Sequence, residues 1–281
     1  MRNVLSIDLE SWIYYSDVAA GTRLGDSGSE RKKDLDGGYI PKATGELLDL
    51  LDSHGQKATF FVLGELYDWY PDTIEEIAKR GHEIGYHTHK HPVLKSGKDL
   101  EAELEQSSGF LTKFHPAGFR APRIYIPRDC FPVLSEHGFR YSSSTYGEHR
   151  IRNVDGVDEI PISLWRYWGK DNPRLKFPRP LSLGMLAQGL PIGGGLFVNT
   201  LGSRISKYID NLNSREVPTP AVLMIHPWQL YRPHEIETLG FKLRNTFRSP
   251  MSLPYLRGIL KQFEGLLRRH EFVSFNERYY A

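Results

Sequence analysis

The sequence has little cysteine, almost no excess charge and no long apolar run, and each absence excludes a class of protein. Cys130 is the single cysteine among 281 residues, so an internal disulfide and a thiolate zinc cluster are both excluded. Lys and Arg number 36 against 34 Asp and Glu, a formal net charge of +2, which argues against a dedicated nucleic-acid binder. No stretch approaches the roughly 18 apolar residues of a membrane span. Any metal must therefore use histidine and carboxylate ligands, and 11 histidines are available.

The start of the chain also lacks a feature. Residues Met1 to Asp8 contain no apolar segment of the kind that a secretory signal peptide carries. We therefore expect a cytoplasmic protein.

Apolar runs and glycine-terminated helical segments alternate along most of the chain. Leucines at helical spacing between residues 47 and 51 stop at Gly55, and the apolar run 58–63 that follows is typical of a buried strand. Further predicted helices are 71–80, 99–114, 128–136 and 254–269, and the other predicted strands are the opening segment up to Asp8, 83–87, 118–120, 139–142, 222–226 and 272–275. This alternation predicts an α/β protein with one closed or nearly closed barrel, in a single domain covering residues 1–281.

Two parts of the chain stand apart from this alternation. Residues 15–38 are polar and rich in Gly and Ser, which predicts a long loop. The segment 163–195 has four prolines and the triplet Gly193–Gly195, and is predicted to be a long loop excursion over one barrel end. The triplet lacks the spacing of a phosphate-binding loop, so it predicts a tight turn or a close backbone approach.

The predicted helix at 254–269 has apolar residues at helical spacing, which is typical of a barrel-covering helix. Its last turn contains two arginines, which complement the helix dipole. We expect at most peripheral membrane contact from this helix.

Acidic residues and histidines follow three of the predicted strands. Asp8 and Glu10 lie two residues apart, so on an extended chain both carboxylates face the same way, although solvated acidic pairs at strand ends are common. His87 and His91 are four apart, which on a helical turn places both imidazoles on one side and directs His89 elsewhere. Two imidazoles and a carboxylate suit zinc with positions left open, while a polar surface turn is the alternative.

A lone histidine follows a late strand. His226 comes directly after the apolar run 222–225, where a single histidine is usually a half-buried structural residue. It gains interest because the carboxyl ends of barrel strands are where such folds collect catalytic groups.

The order of these segments resembles the polysaccharide deacetylases of carbohydrate esterase family four, in particular the branch associated with bacterial exopolysaccharide and O-antigen synthesis. The resemblance runs through most of the chain, and its segments are Ser6–Glu10, Ala58–Gly64, Gly81–His91, Gly118–Pro122, Glu159–Pro161, Leu190–Gly195 and His226–Trp228. It implies a distorted (β/α)7 barrel that removes N-acetyl groups from sugars with one divalent metal ion, for which we expect zinc.

The resemblance also implies a role for individual residues. Asp8 corresponds to the general base, Arg120 to the arginine that orients it, and His226 to the acid that protonates the leaving amine. The implied metal ligands are Glu10, His87 and His91. The family's common motif has two adjacent aspartates, whereas Leu9 separates the acids here and the second is Glu, so direct contact of Asp8 with the metal stays open.

Substrate contacts follow from the same resemblance. Met224 occupies the usual leucine position of the pocket for the acetyl methyl group, and Trp228 belongs to the last motif. Glu159 and Trp165 lie near the fourth motif, which tunes the catalytic histidine. The residues predicted to bind substrate are Met224, Trp228, Trp165 and Trp168.

The loop after Trp165 is locally basic and aromatic. Its cations are Arg166, Lys170, Arg174, Lys176 and Arg179, and its aromatic residues are Tyr167, Trp168 and Phe177. Aromatic faces stack on sugar rings and cations suit phosphate or uronate groups, whereas a solvated basic loop is an equally favoured interpretation. The hypothesis is a carbohydrate substrate that is nucleotide-linked, lipid-diphosphate-linked or acidic.

Two other functions remain open from the residues alone. One is a carbohydrate-binding relative without turnover, which the joint retention of base, ligands, arginine and acid argues against. The other is a metal hydrolase of a formyl group or an ester, because all these acyl substrates pass through a similar tetrahedral intermediate.

Overall fold

The computed structural model describes residues 1–15, 23–148, 150–166, 189–216, 219–234 and 259–281. Its strands are β1 (Asn3–Leu9), β2 (Thr59–Val62), β3 (Glu83–Tyr86), β4 (Gly118–Phe119), β5 (Tyr141–Ser142), β6 (Tyr146–Gly147), β7 (Arg152–Val154), β8 (Val157–Glu159), β9 (Ile162–Ser163), β10 (Trp165–Arg166), β11 (Gly189–Leu190), β12 (Val222–Ile225) and β13 (Phe272–Val273).

Helices pack around these strands. They are α1 (Ser29–Asp36), α2 (Tyr39–Ser53), α3 (Gly64–Trp69), α4 (Pro71–Lys79), α5 (Gly97–Gln106), α6 (Ser108–Phe114), α7 (Cys130–Glu136), α8 (Gly195–Leu201), α9 (Ser203–Asn213), α10 (Pro227–Leu230), α11 (Leu260–Leu267) and α12 (Phe275–Tyr279). Short 3-10 turns cover Leu24–Asp26 and Pro122–Ile124. Within these described residues no helix is both long and apolar enough to cross a membrane.

Seven parallel strands form a curled sheet in the order β12-β1-β2-β3-β4-β5-β8. β7 pairs antiparallel with β8, and β13 pairs parallel with the start of β1. The strands β1, β2 and β12 are buried along their whole length, as expected for parallel strands covered on both faces. The predicted α/β barrel fold is confirmed.

The backbone around Gly193 joins the two open sides of the curled sheet. Its carbonyl accepts a hydrogen bond from Met224 N at 2.7 Å, and its N–H donates to the Ser163 carbonyl at 2.9 Å. A Cβ atom here would overlap the Val222 carbonyl and lie 2.7 Å from the Ile162 side chain. Only glycine fits, so this is the close backbone approach that the triplet predicts.

Apolar side chains fill the barrel interior below the carboxyl ends of the strands, so this part of the barrel is a packed core. The interior cluster consists of Val4, Phe61, Ile124, Tyr141, Ile160, Ile162, Val222, Met224 and Phe275. A larger apolar layer lies between the sheet and the surrounding helices. The open end of the barrel, at the carboxyl ends of the strands, is therefore where polar groups can converge.

Part of the segment predicted as a loop, 15–38, is the helix α1. The prediction was wrong there because the buried side chains of this helix are polar and show no apolar periodicity. Lys32 Nζ pairs with the Glu65 carboxylate in the interior, and Asp36 accepts hydrogen bonds from Ser11 Oγ at 2.6 Å and Tyr70 Oη at 2.9 Å.

Two predicted helices differ in extent. The segment 99–114 is divided into α5 and α6 at Ser107, whose Oγ accepts a hydrogen bond from Tyr86 Oη at 3.0 Å. Of the segment 254–269, α11 is helical, while residues 254–258 lie outside the described residues.

Candidate active site

The carboxyl ends of four strands bring the predicted polar residues together. Asp8 is the penultimate residue of β1, and Glu10 follows that strand. His87, Arg120 and His226 each come directly after β3, β4 and β12. Since these strands are parallel, their ends lie at one edge of the sheet, and all five side chains are buried there.

The loop between β3 and α5 carries the histidine cluster. Its backbone is left-handed at two residues and does not form the helical turn that the spacing of His87 and His91 suggests. Thr88 has φ 69° and His91 has φ 62°, and His91 N donates to Thr88 Oγ1 at 3.2 Å. Glu103 Oε2 fixes the loop by accepting hydrogen bonds from the backbone N–H groups of His89 and Lys90, both at 2.8 Å. The His87 and His91 rings therefore lie 5.2 Å apart between centroids. His89 turns away, with Nδ1 3.1 Å from Ser107 Oγ.

Glu10, His87 and His91 have the geometry of a metal-ligand set. One potential ligand atom from each residue lies within 4.8 Å of the others, and Glu10 Oε2 is 3.5 Å from His91 Nε2. His87 Nδ1 contacts the Arg120 carbonyl at 2.7 Å, which fixes the ring. Its Nε2 is buried and has no hydrogen-bond partner among the described residues. A buried nitrogen without a partner, oriented by a carbonyl on the opposite nitrogen, fits a divalent metal ligand.

The charge states of these groups also suit a metal. Burial lowers the pKa of His91 to about 4 and lowers the pKa of His87, so both imidazoles are neutral at pH 7. Burial alone would raise the pKa of Glu10, but the facing His91 and His226 outweigh it and lower that pKa to about 2. Neutral imidazole and ionised carboxylate are the forms that bind zinc.

Arg120 holds Asp8 in place. One guanidinium nitrogen donates to Asp8 Oδ1 at 2.6 Å and to Ser6 Oγ at 2.7 Å. Nε and the second nitrogen donate to the carbonyl and hydroxyl of Ser143, both at 2.8 Å, and the guanidinium lies 4.2 Å from the Phe61 ring centroid. A fully buried, multiply bonded arginine fixes the position of the carboxylate and supplies its counter-charge.

His226 faces both carboxylates. Its Nε2 lies 2.8 Å from Glu10 Oε1 and 3.9 Å from Asp8 Oδ2, and its ring stacks on Trp228 at 4.6 Å between centroids. Burial alone would lower the pKa of His226, but Glu10 and Asp8 outweigh burial and raise it. The two carboxylates thus favour the protonated imidazolium, the form that a general acid needs. Asp8, Glu10 and His226 form a second set with ligand atoms within 4.8 Å, so contact of Asp8 with a metal stays open.

Gln229 supports His226 and was not anticipated from the sequence. Its Oε1 accepts a hydrogen bond from His226 N at 2.9 Å and lies 3.3 Å from His226 Nδ1. A Cβ atom on Gly195 would overlap the Gln229 amide, so the glycine makes room for it. A signal did exist, since proline at the first and glutamine at the third helical position are typical of a capped helix start.

The Glu159 carboxylate contacts the segment that follows β5. Its Oε1 accepts hydrogen bonds from Ser144 N at 2.9 Å and Thr145 Oγ1 at 2.7 Å, and among the described contacts none joins it to His226. The residue at Nδ1 of the imidazole is Gln229, and the role of Glu159 near the fourth motif stays a prediction.

The residues predicted to bind substrate lie in different environments. Met224 is buried in the barrel interior two residues before His226, and Trp228 is 1% exposed beneath the His226 ring. Trp165 is 47% exposed, with its ring 6.4 Å from that of Tyr208. Trp168 and the four cations between residues 170 and 179 lie outside the described residues.

Comparisons with known proteins agree with this geometry. A family model described as Polysaccharide deacetylase matches residues 34–142, a span that contains His87 and His91 but neither Glu10 nor His226. A peptidoglycan-N-acetylglucosamine deacetylase of Bacillus cereus is 34% identical over 110 residues, which is 38% of this chain and 52% of that protein. Chitin deacetylase 1 of Saccharomyces cerevisiae is 36% identical over 177 residues, 59% of this chain and 55% of that protein. The chain thus spans about half the length of these curated relatives.

A solved structure shares the fold. A protein from Mycobacterium smegmatis, provisionally assigned as a polysaccharide deacetylase, matches with a TM-score of 0.54 at 19% identity, covering 95% of this chain and 91% of that chain. The predicted family is therefore supported in sequence over residues 34–142 and in fold over the barrel.

Proposed function

We propose that this chain, which shares the polysaccharide deacetylase fold and matches that family over residues 34–142, is a metal-dependent carbohydrate N-deacetylase. Such an enzyme is an amide hydrolase that removes acetyl groups from amino sugars. The observation that carries the proposal is the convergence of Asp8, Glu10, His87, His91 and His226 at one end of the barrel, with ligand atoms from each set within 4.8 Å. A packing role would not need a neutral histidine pair beside an ionised acid.

Glu10, His87 and His91 would hold one divalent ion, with zinc as the expected metal. The ion would supply Lewis-acid chemistry, polarising the acetamide carbonyl and making water more acidic. His87 is already oriented for this role by the Arg120 carbonyl, and Glu103 fixes the loop that carries His91. The protein groups are therefore placed before the ion and substrate arrive.

Asp8 is proposed as the general base. Arg120 occupies Oδ1, which leaves Oδ2 directed toward His226 and the ligand set. An ionised, fixed carboxylate can take a proton from the attacking water as the oxygen–carbon bond forms. The Arg120 guanidinium supplies the counter-charge that offsets the cost of burying this carboxylate.

His226 is proposed as the general acid. When the carbon–nitrogen bond breaks, the leaving amine takes the proton from Nε2, and acetate and the free amino sugar are the products. Gln229 accepts from the backbone N–H of His226 and lies within reach of Nδ1, so it orients the ring for that transfer.

The proposal also covers the biological role of the enzyme. The resemblance to the exopolysaccharide and O-antigen branch suggests a cytoplasmic enzyme of bacterial cell-surface polysaccharide synthesis. Its substrate would then be a nucleotide-linked, lipid-diphosphate-linked or acidic N-acetylated sugar. The relatives named for peptidoglycan-N-acetylglucosamine and for chitin make these polymers the other substrates to test.

The test is acetate release from a panel of N-acetylated sugar nucleotides, peptidoglycan fragments and chitin oligosaccharides. Zinc-loaded and chelated protein are compared, together with Asp8→Asn and a control substitution at the exposed Asp34, Asp34→Asn. We expect release that requires metal, is lost in Asp8→Asn by at least about 100-fold, and persists in Asp34→Asn.

Two outcomes would overturn the proposal. Acetate release that survives both chelation and Asp8→Asn would exclude the mechanism. Stoichiometric zinc binding without acetate release from any N-acetylated sugar would leave a binding module, or, if N-formyl or O-acetyl sugars are hydrolysed instead, a different acyl hydrolase.

A further inference from the structure

The turn after Arg120 has an unusual backbone. Arg123 has φ 59° and Ile124 has φ 53°, so two consecutive residues other than glycine adopt left-handed conformations. A β-branched residue in this region is an outlier, because its Cβ atom comes too close to the following carbonyl oxygen. Such strained positions persist only where the surroundings enforce them, and they concentrate at functional sites.

Contacts on both sides of the turn enforce this conformation. Ala121 N donates to Ser144 Oγ at 2.8 Å, and Ile124 N donates to the Ala121 carbonyl at 3.1 Å. The Ile124 side chain is 6% exposed and packs into the barrel interior, in the cluster that also contains Phe61 and Met224. With Ile124 anchored inward, the neighbouring Arg123 side chain is exposed to solvent.

The turn lies beside the metal-ligand set. It begins three residues after Arg120, whose carbonyl contacts His87 Nδ1 at 2.7 Å. Arg123 is exposed and follows the carboxyl end of β4 by four residues. It therefore lies at the open rim of the barrel, where the strand ends carry the site.

Arg123 has no carboxylate partner among the described residues, unlike Arg120. Arg120 pairs with Asp8, and the surface Arg80 pairs with Asp49 and Asp52. A cation without a carboxylate partner at this end of the barrel attracts a negative group that offsets its charge. An anionic substrate group would supply that offset when substrate binds.

We propose that Arg123 is the anion-binding residue of the substrate groove and selects amino sugars that carry a carboxylate or phosphate near the acetamide. This rests on the proposed deacetylase function and names its substrate class. The guanidinium matches either anion with two parallel hydrogen bonds, so both belong to the same ligand chemistry. The left-handed turn is what directs this side chain to the rim.

The experiment compares three N-acetylated sugars that differ only in the group at C6. They are N-acetylglucosamine as the neutral sugar, N-acetylglucosaminuronic acid as the carboxylate and N-acetylglucosamine 6-phosphate as the phosphate. The variants are Arg123→Asn, because asparagine tolerates the left-handed backbone, and Arg123→Lys, which keeps the charge. Arg128→Asn is the control, since Arg128 is an exposed arginine that contacts Asp155 at 3.8 Å.

We expect Arg123→Asn to lower the ratio of kcat/KM for the preferred acidic sugar to that for the neutral sugar by about 10- to 100-fold, as for a lost charge-assisted hydrogen bond. The loss should appear in KM more than in kcat, be partly rescued in Arg123→Lys, and be absent in Arg128→Asn. The more strongly affected acidic sugar distinguishes a carboxylate substrate from a phosphate substrate. Zinc content, measured for each variant, should not fall in Arg123→Asn.

An unchanged acidic-to-neutral ratio in Arg123→Asn, or equal loss with all three sugars, would overturn the inference while leaving deacetylation intact. If the unsubstituted protein releases no acetate from any sugar, the proposed function fails, and calorimetric binding of the same three sugars tests Arg123 separately. Equal affinity of unsubstituted protein and Arg123→Asn for the acidic sugars would then overturn the inference as well.

Discussion

At the scale of single residues, the site depends on side chains that hold the reacting groups as much as on the groups themselves. His226 is fixed from three sides, by the Glu10 carboxylate, the Trp228 ring and the Gln229 amide. Only Gln229 accepts from its backbone and lies within reach of Nδ1. It is therefore the residue that sets the direction of the imidazole without touching substrate.

We predict that Gln229→Leu lowers kcat for acetate release by about 10- to 100-fold, because the acid loses its orientation and part of the benefit of general acid catalysis. KM and zinc content should change much less. Gln229→Glu keeps an acceptor at the same place and should recover part of the rate. Gln106→Leu, on an exposed face of α5, is the control. A drop in zinc content that matches the drop in rate would indicate a merely structural role.

Glu159 leads to a prediction about pH. Burial raises the pKa of this carboxyl from 4.5 to about 7, against the hydrogen bonds from Ser144 and Thr145. The native state therefore binds a proton that the unfolded chain releases near pH 4.5. The contribution of Glu159 to stability falls as pH rises from about 4.5 to 7 and is constant above that, a loss of roughly 3 kcal/mol at most.

Glu159→Gln removes this titration. Relative to the unsubstituted protein, the variant should become more stable as pH rises from 5 to 8, as measured by urea unfolding at both pH values. Glu101→Gln on the surface of α5 should show no such trend. A stability difference that is the same at pH 5 and pH 8 would contradict the prediction.

Some of the site residues can be predicted from the sequence and others cannot, because only some of them are close together in the chain. Asp8 with Glu10, and His87 with His91, are pairs at short separation, so local spacing already suggests a shared direction. The contacts of Arg120 with Ser6 and of Gly195 with Gln229 join residues far apart in the chain. Such contacts exist only once the strands are ordered in the sheet.

At the scale of elements, the barrel depends on a backbone segment that is not a strand. Gly193 bonds to Met224 on one side and to Ser163 on the other, where a curled sheet would otherwise remain open. The approach is so close that any side chain must displace the Val222 carbonyl or Ile162.

We predict that Gly193→Ala costs about 1–3 kcal/mol of unfolding free energy, the range for overpacking a filled site. The matched control is Gly45→Ala in α2, where a Cβ atom meets nothing within 4 Å and helix propensity favours alanine by about 0.5–1 kcal/mol. Chemical denaturation of both variants measures the difference. Equal stability of the two would show that the Gly193 segment can shift.

The same scale explains which elements are predictable. α2 and α4 each have an apolar face, and they end before Gly55 and Gly81, which both have positive φ. Apolar periodicity and the terminal glycine therefore predict both helices from the sequence. The buried side chains of α1 are instead Lys32 and Asp36, paired through Glu65 and Tyr70. A helix whose buried side chains are charged shows no apolar periodicity in its sequence, so the pattern does not predict it.

At the scale of the whole molecule, metal binding should be linked to folding. The proposed ligand atoms come from the residue after β1 and from the β3–α5 loop, so the unfolded chain offers no comparable site. We predict that zinc at about 1,000 times its dissociation constant stabilises chelated protein by about 4 kcal/mol. Thermal unfolding with and without zinc measures this.

His87→Gln should lose most of the zinc-dependent increase in Tm, whereas His137→Gln, at an exposed position after α7, should keep it. An equal increase in both variants would mean that zinc binds elsewhere on the protein.

The pairing of β13 with the start of β1 has a practical consequence. Asn3 N donates to the Glu271 carbonyl at 2.8 Å and Arg2 pairs with Glu277, so the first and last segments of the chain meet where the strands begin. The residues proposed to act in catalysis lie where the strands end. An affinity tag, a surface for immobilisation or a fused protein attached to either terminus would therefore be anchored on the opposite side of the barrel from these residues.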